Sequence, residues 1–246
     1  MDRDLYQHPE YYDCAFAWRD VGAEVAVMRA AWQRFGHGRL RRMMELACGT
    51  APHAPAVRAA GIDFIGIDLA PAMLAAARRR SPQAKLICAD LHAPAVADGA
   101  VDMACTLLGS LYVSSLAALD HHLAHIADLV RPGGLWLLDW CLLFDDPDEH
   151  YDDWQADGPD GPATIRYQSA STGQPGMQRE TLTVTSATGT TYQACTESLA
   201  LRAELVLPLI ACHPRWTLLG NWNHWDLDRP LGSEPADRPI TLLART

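Results

Sequence analysis

Between residues 43 and 140 short apolar runs alternate with amphipathic stretches, and that order admits few folds. Met43 to Ala47, Phe64 to Ile67, Leu86 to Ala89, Val101 to Leu108 and Leu135 to Trp140 read as strands. Ala51 to Ala60, Pro71 to Arg80 and Ser114 to Val130 read as helices, with Pro71 suited to a first turn. Strands separated by helices need crossover connections, so the strands run parallel and the helices cover both faces. The strands are nearly unbroken apolar runs, as that double covering demands. Trp216 to Leu219 and Ile240 to Leu243 supply two closing strands. The expected fold is α/β: a doubly wound, mostly parallel seven-stranded sheet, with a small antiparallel β insertion.

The flanking segments divide the chain further. Residues 20–35 carry apolar side chains at helical spacing, from Val21 through Val25, Met28 and Trp32 to Phe35, with Asp20 as N-cap and Gly36 as stop. Residues 1–36 therefore read as an N-terminal helical cap. Residues 37–140 and 203–246 read as the core. Residues 141–162 are acidic and rich in Pro and Gly, which predicts a loop or lid. Residues 163–201, rich in Thr, Val and Tyr, predict two or three antiparallel strands, and 203–212 a short helix.

Charge narrows the partners. The formal net charge is -10 and Lys85 is the one lysine, a balance that disfavours a nucleic-acid substrate because phosphate backbones reward excess cationic charge. The seven cysteines form no CxxC pair and several lie in apolar runs, which points away from disulfides and zinc. No apolar run nears the roughly 20 residues of a membrane helix, and the first residues lack a basic start and apolar stretch; the cytoplasm is the expected location.

Three strand ends carry the chemistry. Gly49 follows the first strand and permits a tight turn with close ligand approach; the helix after it offers free N–H groups. Asp68 ends the second strand, 19 residues on, where a carboxylate can accept from ribose hydroxyls. Asp90 ends the third strand and can accept from an adenine amino group, with Leu91 and Met73 against the ring. Singly, such a glycine is an ordinary turn and such an acid a helix cap. In this order they describe a nucleoside site.

Glu45-Leu46-Ala47-Cys48-Gly49-Thr50 resembles the glycine-rich first motif of class I S-adenosylmethionine-dependent methyltransferases. Gly66 to Leu74 resembles their second motif, Ala89-Asp90-Leu91 their adenine motif, and Leu129 to Gly134 the turn before their fifth strand. The resemblance covers about residues 40 to 140 and implies S-adenosylmethionine as cofactor. It implies that Glu45 braces the loop, that backbone at Ala47 and Gly49 faces the methionine part, that Asp68 holds the ribose, and that Met73, Asp90 and Leu91 frame the adenine. Leu69 and Leu107, at the ends of the second and fourth strands, complete the set. Tyr12 and Arg19 lie where many small-molecule members carry a closing segment, and Arg19 is expected to pair with the cofactor carboxylate. Ala51 stands where many members have glycine, and requires the turn to keep negative φ there. A nicotinamide fingerprint would need glycines where Ala47 and Ala51 stand.

The acceptor is less constrained. Ser110 and Tyr112, after the fourth strand, and Trp140, after the fifth, are expected pocket residues, with Tyr112 also a catalytic candidate. The Asn/Asp-Pro-Pro-Tyr motif of nucleobase amino-methylating enzymes is absent, which again points to a small-molecule acceptor. Trp216, Trp222 and Trp225 lie within ten residues and read either as core packing or as an aromatic pocket, with Trp222 as substrate wall and His224 as the base to test first. His121 and His125 have metal-ligand spacing but no third ligand, so no metal is expected and the three histidines from His121 read as a solvated helix face. The 163–201 strands loosely resemble those of glycine/sarcosine and aminosugar N-methyltransferases, where they cover the pocket and often join subunits, which would suit a homodimer. In that reading Arg166, Tyr167 and Arg202 bind an anionic group on the substrate. The alternatives are a nucleic-acid or protein methyltransferase of the same fold, and a non-catalytic cofactor-binding regulator.

Overall fold

The computed structural model describes residues 3–93, 96–145, 149–232 and 234–246. Seven strands form the main sheet: β2 (Arg42–Leu46), β3 (Asp63–Asp68), β4 (Lys85–Cys88), β5 (Val101–Thr106), β6 (Val130–Asp139), β11 (Trp216–Trp222) and β12 (Ile240–Arg245). Their order is β11-β12-β6-β5-β2-β3-β4, with every pair from β6 to β4 parallel and the last two antiparallel. The order reverses at β2, which has β3 on one side and β5 on the other. Ligands of doubly wound sheets bind at the strand carboxyl ends of such a point.

Alternation along each strand feeds two cores. Met43, Phe64, Met103, Leu135 and Leu137 point one way, against α2 (Val21–Phe35), α3 (Ala54–Ala59) and α4 (Pro71–Arg80). Met44, Ile65, Ala104, Trp136 and Leu138 point the other way, against α5 (Leu116–Leu129) and α6 (Ala203–Cys212). Asp20 and Ser115 cap α2 and α5 through their side chains. Each wholly buried Leu, Ile or Met contributes about 1.5–3 kcal/mol.

A second sheet runs β1-β10-β9-β8-β7, from β1 (Arg3–Asp4), β7 (Glu149–Gly158), β8 (Gly161–Ser171), β9 (Met177–Thr185) and β10 (Thr191–Leu199). It corrects one expectation. The acidic 149–158 stretch is a strand, paired with β8 over its whole length; only Trp154 and Ala156 carry the apolar alternation, hidden among aspartates. Residues 146–148 of the expected lid lie outside the described residues. The 163–201 stretch holds three antiparallel strands, as expected; β7 makes four in the insertion, and the N-terminal cap adds a fifth through β1. Ile165, Leu182, Val184, Tyr192 and Ala194 share the inner face and pack on Leu5 and on Tyr11 and Ala15 of α1 (Pro9–Ala15). A further correction concerns α5: His122 is buried beside Trp136, with ring centroids 5.5 Å apart, and is no part of a solvated face.

Candidate active site

The turn after β2 folds back on the end of β3. Cys48 donates its N–H to the Ile67 carbonyl at 2.9 Å, and Gly49 donates to Asp68 Oδ2 at 2.7 Å. The other Asp68 oxygen accepts from Ala70 N at 2.8 Å, at the start of α4. β3 can lie this close because Gly66 has no side chain; a Cβ there would stand 2.7 Å from Cys48 Sγ. Burial raises the Asp68 pKa despite the backbone N–H groups of Ala70, Gly49 and Leu69 that favour its charge. Asp90 is exposed just past β4 and accepts from His92 N at 2.9 Å. The pairing of Asp68 with Cys88 puts Asp90 two residues beyond Asp68 along the same sheet edge. Met73 is buried in α4, Leu91 half-buried beside Asp90, and Leu69 is exposed.

The turn takes left-handed backbone at three alternate residues: Ala47 at φ +52°, Gly49 at +53° and Ala51 at +50°. The negative φ expected at Ala51 is thus overturned. The chain must double back from β2 into α3 within a few residues, and Ala51 N–H closes on the Cys48 carbonyl at 2.8 Å to do it.

A cavity of about 240 Å³ opens over this turn, lined by Glu45, Ala47, Cys48 and Thr50, by Leu107, Leu108 and Ser110 after β5, and by Tyr12, Phe16 and Arg19 from the N-terminal segment. Tyr12 lies across the glycine, one ring carbon 3.6 Å from where a Cβ of Gly49 would be. Arg80, also at the wall, ties the segment down: it donates to the Thr50 carbonyl at 2.9 Å and to Asp13 at 2.5 Å.

Beneath the cavity lies a polar network that the sequence did not announce. His53 donates from Nδ1 to Glu45 at 3.0 Å and from Nε2 to Glu24 at 2.7 Å. Glu24 also accepts from Arg19 Nε at 3.0 Å and from Arg238 at 2.7 Å. Arg238 continues to Asp139 at 3.0 Å, which accepts from Trp225 Nε1 at 2.8 Å and from Leu108 N at 3.1 Å. Three cations thus meet three carboxylates, all but the arginines buried. Burial would lower the His53 pKa, but the charge of Glu45 and the bonds to both carboxylates outweigh it and raise it to about 9. Burial would raise that of Glu24, but His53 and the two guanidiniums hold it far below the usual range. Signals for this network existed. Glu24 sits one turn before Met28 on the apolar stripe of α2, and Asp139 ends a strand as Asp68 does.

Beyond Tyr12, outside the cavity wall, lie further phenols. Tyr6 and Tyr12 lie 6.0 Å apart. Burial pushes the Tyr112 hydroxyl well above its ordinary pKa, with further raising from Tyr6, Glu180, Tyr12 and Tyr167 around it. Tyr167 donates its hydroxyl to Glu180 Oε1 at 2.6 Å.

Other expected residues stand elsewhere. Trp222 is buried against Phe35, ring centroids 5.6 Å apart, in the α2-side core and not in a pocket. His224 is on an exposed turn beside Asp237, 3.1 Å away, and does not line the cavity. Trp140, at φ +59°, is 43% exposed at the end of β6. Strand alternation separates Arg166 from Tyr167: Arg166 donates to Tyr151 on the outer face, so the two cannot grip one anion. Arg202 is the N-cap residue of α6 and bridges to Leu143.

Residues 43–134 match the family model described as a methyltransferase domain. A search of curated proteins finds no match. Among solved structures, the chain is similar to an S-adenosylmethionine-dependent methyltransferase from Clostridium acetobutylicum ATCC 824, at 14% identity and TM-score 0.74 with 96% of each chain covered. It is similar to an amino pentose methyltransferase from Micromonospora echinaspora involved in calicheamicin biosynthesis, at 19% identity and TM-score 0.71, again with 96% of each chain covered. It is also similar to a sugar N-methyltransferase from Streptoalloteichus sp ATCC 53650, at 23% identity and TM-score 0.66, over 95% of this chain and 92% of that one. The whole chain thus has the Rossmann-like methyltransferase fold.

Proposed function

We propose that the chain transfers the methyl group of S-adenosylmethionine to a nitrogen or oxygen of a small molecule. One observation carries this reading: the Glu45–Thr50 turn, Asp68 and Asp90 come together at the carboxyl edge of β2, β3 and β4, beside a cavity roofed by Tyr12. The residues fit the cofactor, which when bound supplies an electrophilic methyl on a sulfonium. Asp68 has spent one lone pair of each oxygen on Gly49 and Ala70, and a carboxylate has about four, so acceptors remain for ribose hydroxyls. Asp90 faces the adenine amino group, with Met73 and Leu91 on the ring and Leu69 at its rim. Backbone at Ala47 and Gly49, with Leu107, borders the methionine part. Glu45 braces the turn by holding His53, the residue before α3. Arg19 has committed Nε and Nη2 to Glu24, which leaves Nη1 for the cofactor carboxylate.

Ser110 and Tyr112 border the acceptor. With its pKa raised, Tyr112 stays protonated at neutral pH and orients the acceptor as a hydrogen-bonding phenol rather than removing a proton. Alignment of acceptor with methyl group, and exclusion of water by the Tyr12 segment, supply the acceleration. No role falls to His224 or Trp222.

The nucleic-acid alternative loses support from the placement of the basic residues. Arg41 and Arg42 lie at the amino end of β2, where their backbone N–H groups donate to Asp102 of β5, away from the cavity. Arg19 and Arg80, which do line it, are paired with Glu24 and Asp13. Among the described residues no helix is long and apolar enough to cross a membrane. The proposal puts the enzyme in the cytoplasm and gives the outer face of the second sheet, where Tyr151 is 54% exposed, to any homodimer.

Thermal unfolding with S-adenosylmethionine and S-adenosylhomocysteine tests the cofactor: a ligand at 100 times its Kd stabilises by about 2.7 kcal/mol. No shift with either at millimolar concentration overturns the proposal. Methyl transfer to a panel of amines, phenols and acids then separates an enzyme from a cofactor-binding regulator.

A further inference from the structure

We propose that the acceptor carries an aliphatic ammonium group and that Glu180, held by Tyr167, is its counter-ion. The inference rests on the methyl-donor reading above and names the class of acceptor for the same site.

Strand register places the pair. Ser169 pairs with Glu180 and Tyr167 with Leu182, so Tyr167, Ser169, Glu180 and Leu182 share the inner face of the second sheet. Thr196 pairs with Glu180 and His150 with Ser169, which adds them to that face. Its apolar half is covered by α1. Its polar half continues toward the loop after β5, where Leu199 N–H donates to the Val113 carbonyl at 2.7 Å, one residue beyond Tyr112.

Phenols lie around the carboxylate, and an imidazole lies beyond one of them. Tyr167 donates to it, the His150 ring lies 5.9 Å from the Tyr167 ring, and the hydroxyls of Tyr6 and Tyr112 lie within its electrostatic reach. Among the described residues no arginine, lysine or histidine forms an ion pair with Glu180. The acidic side chains at and beneath the cavity have cationic partners, Glu24 with Arg19 and Arg238, Glu45 with His53 and Asp13 with Arg80, while Asp68 is held by backbone N–H groups. Burial raises the Glu180 pKa against the Tyr167 bond, because a carboxylate taken from water with no cation beside it lacks compensation for the water it has lost. An ammonium supplies that compensation, and the π faces of tyrosines attract it further. A neutral alcohol supplies no charge, and an anion is repelled by Glu180 and Asp68 together. This reverses the anion-binding role that the sequence suggested for Arg166, Tyr167 and Arg202.

The test uses the whole protein loaded with S-adenosylhomocysteine, titrated calorimetrically with two matched pairs: cyclohexylamine with cyclohexanol, and benzylamine with benzyl alcohol. The amines are expected to bind at least about tenfold more tightly than the alcohols, as befits a charge-assisted bond. Glu180→Gln should abolish that preference while leaving S-adenosylhomocysteine affinity unchanged, and Glu180→Asp should restore part of it. Tyr167→Phe should weaken amine binding less than Glu180→Gln. Equal binding of amines and alcohols, amine binding unchanged in Glu180→Gln, or no amine binding by the loaded protein overturns the ammonium site and leaves the methyl-donor reading standing. Failure of S-adenosylhomocysteine to bind the wild-type protein overturns both.

Discussion

The guanidinium of Arg238 lies 2.7 Å from the carboxylate of Glu24, joining residues 214 positions apart. Glu24 belongs to the helix that precedes the sheet and Arg238 to the segment that precedes its last strand. Their contact, continued to His53 on one side and Asp139 on the other, closes the chain under the candidate site. Arg238 also lies over the Trp225 ring, 5.0 Å from its centroid. Removing one partner of such a pair leaves a buried charge uncompensated, which costs about 3–5 kcal/mol. Arg238→Met and Glu24→Gln should therefore each destabilise by that order in urea unfolding. The double variant should lose less than the sum of the two. Additive losses would show that the pair is not coupled.

The same network sets a pH dependence. The folded-state pKa of His53 is raised from 6.5 to about 9, so its contribution is fully present below 6.5 and is lost as pH rises through about 9. Glu24 has a lowered pKa, so its contribution is present above 4.5 and is lost only as pH falls well below that value. Both are complete between about pH 5 and 6.5. Melting temperature should peak in that window and decline toward pH 9, and His53→Gln should remove most of that alkaline decline. A wild-type profile flat from pH 6 to 9.5 would contradict the assignment of charge to His53.

Most of the sheet and the proposed cofactor edge were legible because local pattern and placement coincide there. β2, β3 and β4 are apolar runs ending in a turn or an acid, and parallel pairing then puts those ends side by side whatever else the chain does. The second sheet was legible only in part. β7 takes its conformation from ten paired residues of β8, not from its own Asp-rich composition, so propensity misread it. Glu24, His53, Asp139 and Arg238 were invisible as a group because nothing local links them. Trp222 misled because three tryptophans close in sequence look like one surface. In the fold Trp222 faces the α2-side core, while Trp225 donates to Asp139.

Asp68 serves two ends: it ties the turn through Gly49 N–H and α4 through Ala70 N–H. Asp68→Asn can keep some of these contacts but loses the charge that favours ribose hydroxyl donors, whereas Asp68→Ala loses both. Hydrogen bonds to a charged group contribute about 1.5–3 kcal/mol. Asp68→Asn should therefore weaken S-adenosylhomocysteine binding by at least about tenfold with little change in melting temperature. Asp68→Ala should weaken it further and lower the melting temperature as well. Calorimetric affinities equal to wild type in both variants would remove Asp68 from the site.

The strained turn offers a test in the other direction. Ala47 and Ala51 both hold φ near +50°, a conformation that costs an L-residue about 1–2 kcal/mol. Glycine removes that cost but loses about 0.5–1 kcal/mol through the greater freedom of the unfolded chain. Ala47 is half-buried at the cavity wall, so its methyl has little packing to forfeit, and Ala47→Gly should stabilise the fold by about 0.5–1 kcal/mol. Ala51 is wholly buried in the α2-side core, and its lost methyl costs about 0.8 kcal/mol, which cancels the gain. Ala51→Gly should thus leave stability nearly unchanged. Urea unfolding of the two variants separates backbone strain from packing: if Ala51→Gly stabilised as much as Ala47→Gly, the methyl would not be packed as the structure places it, and if Ala47→Gly destabilised, the turn would not be strained.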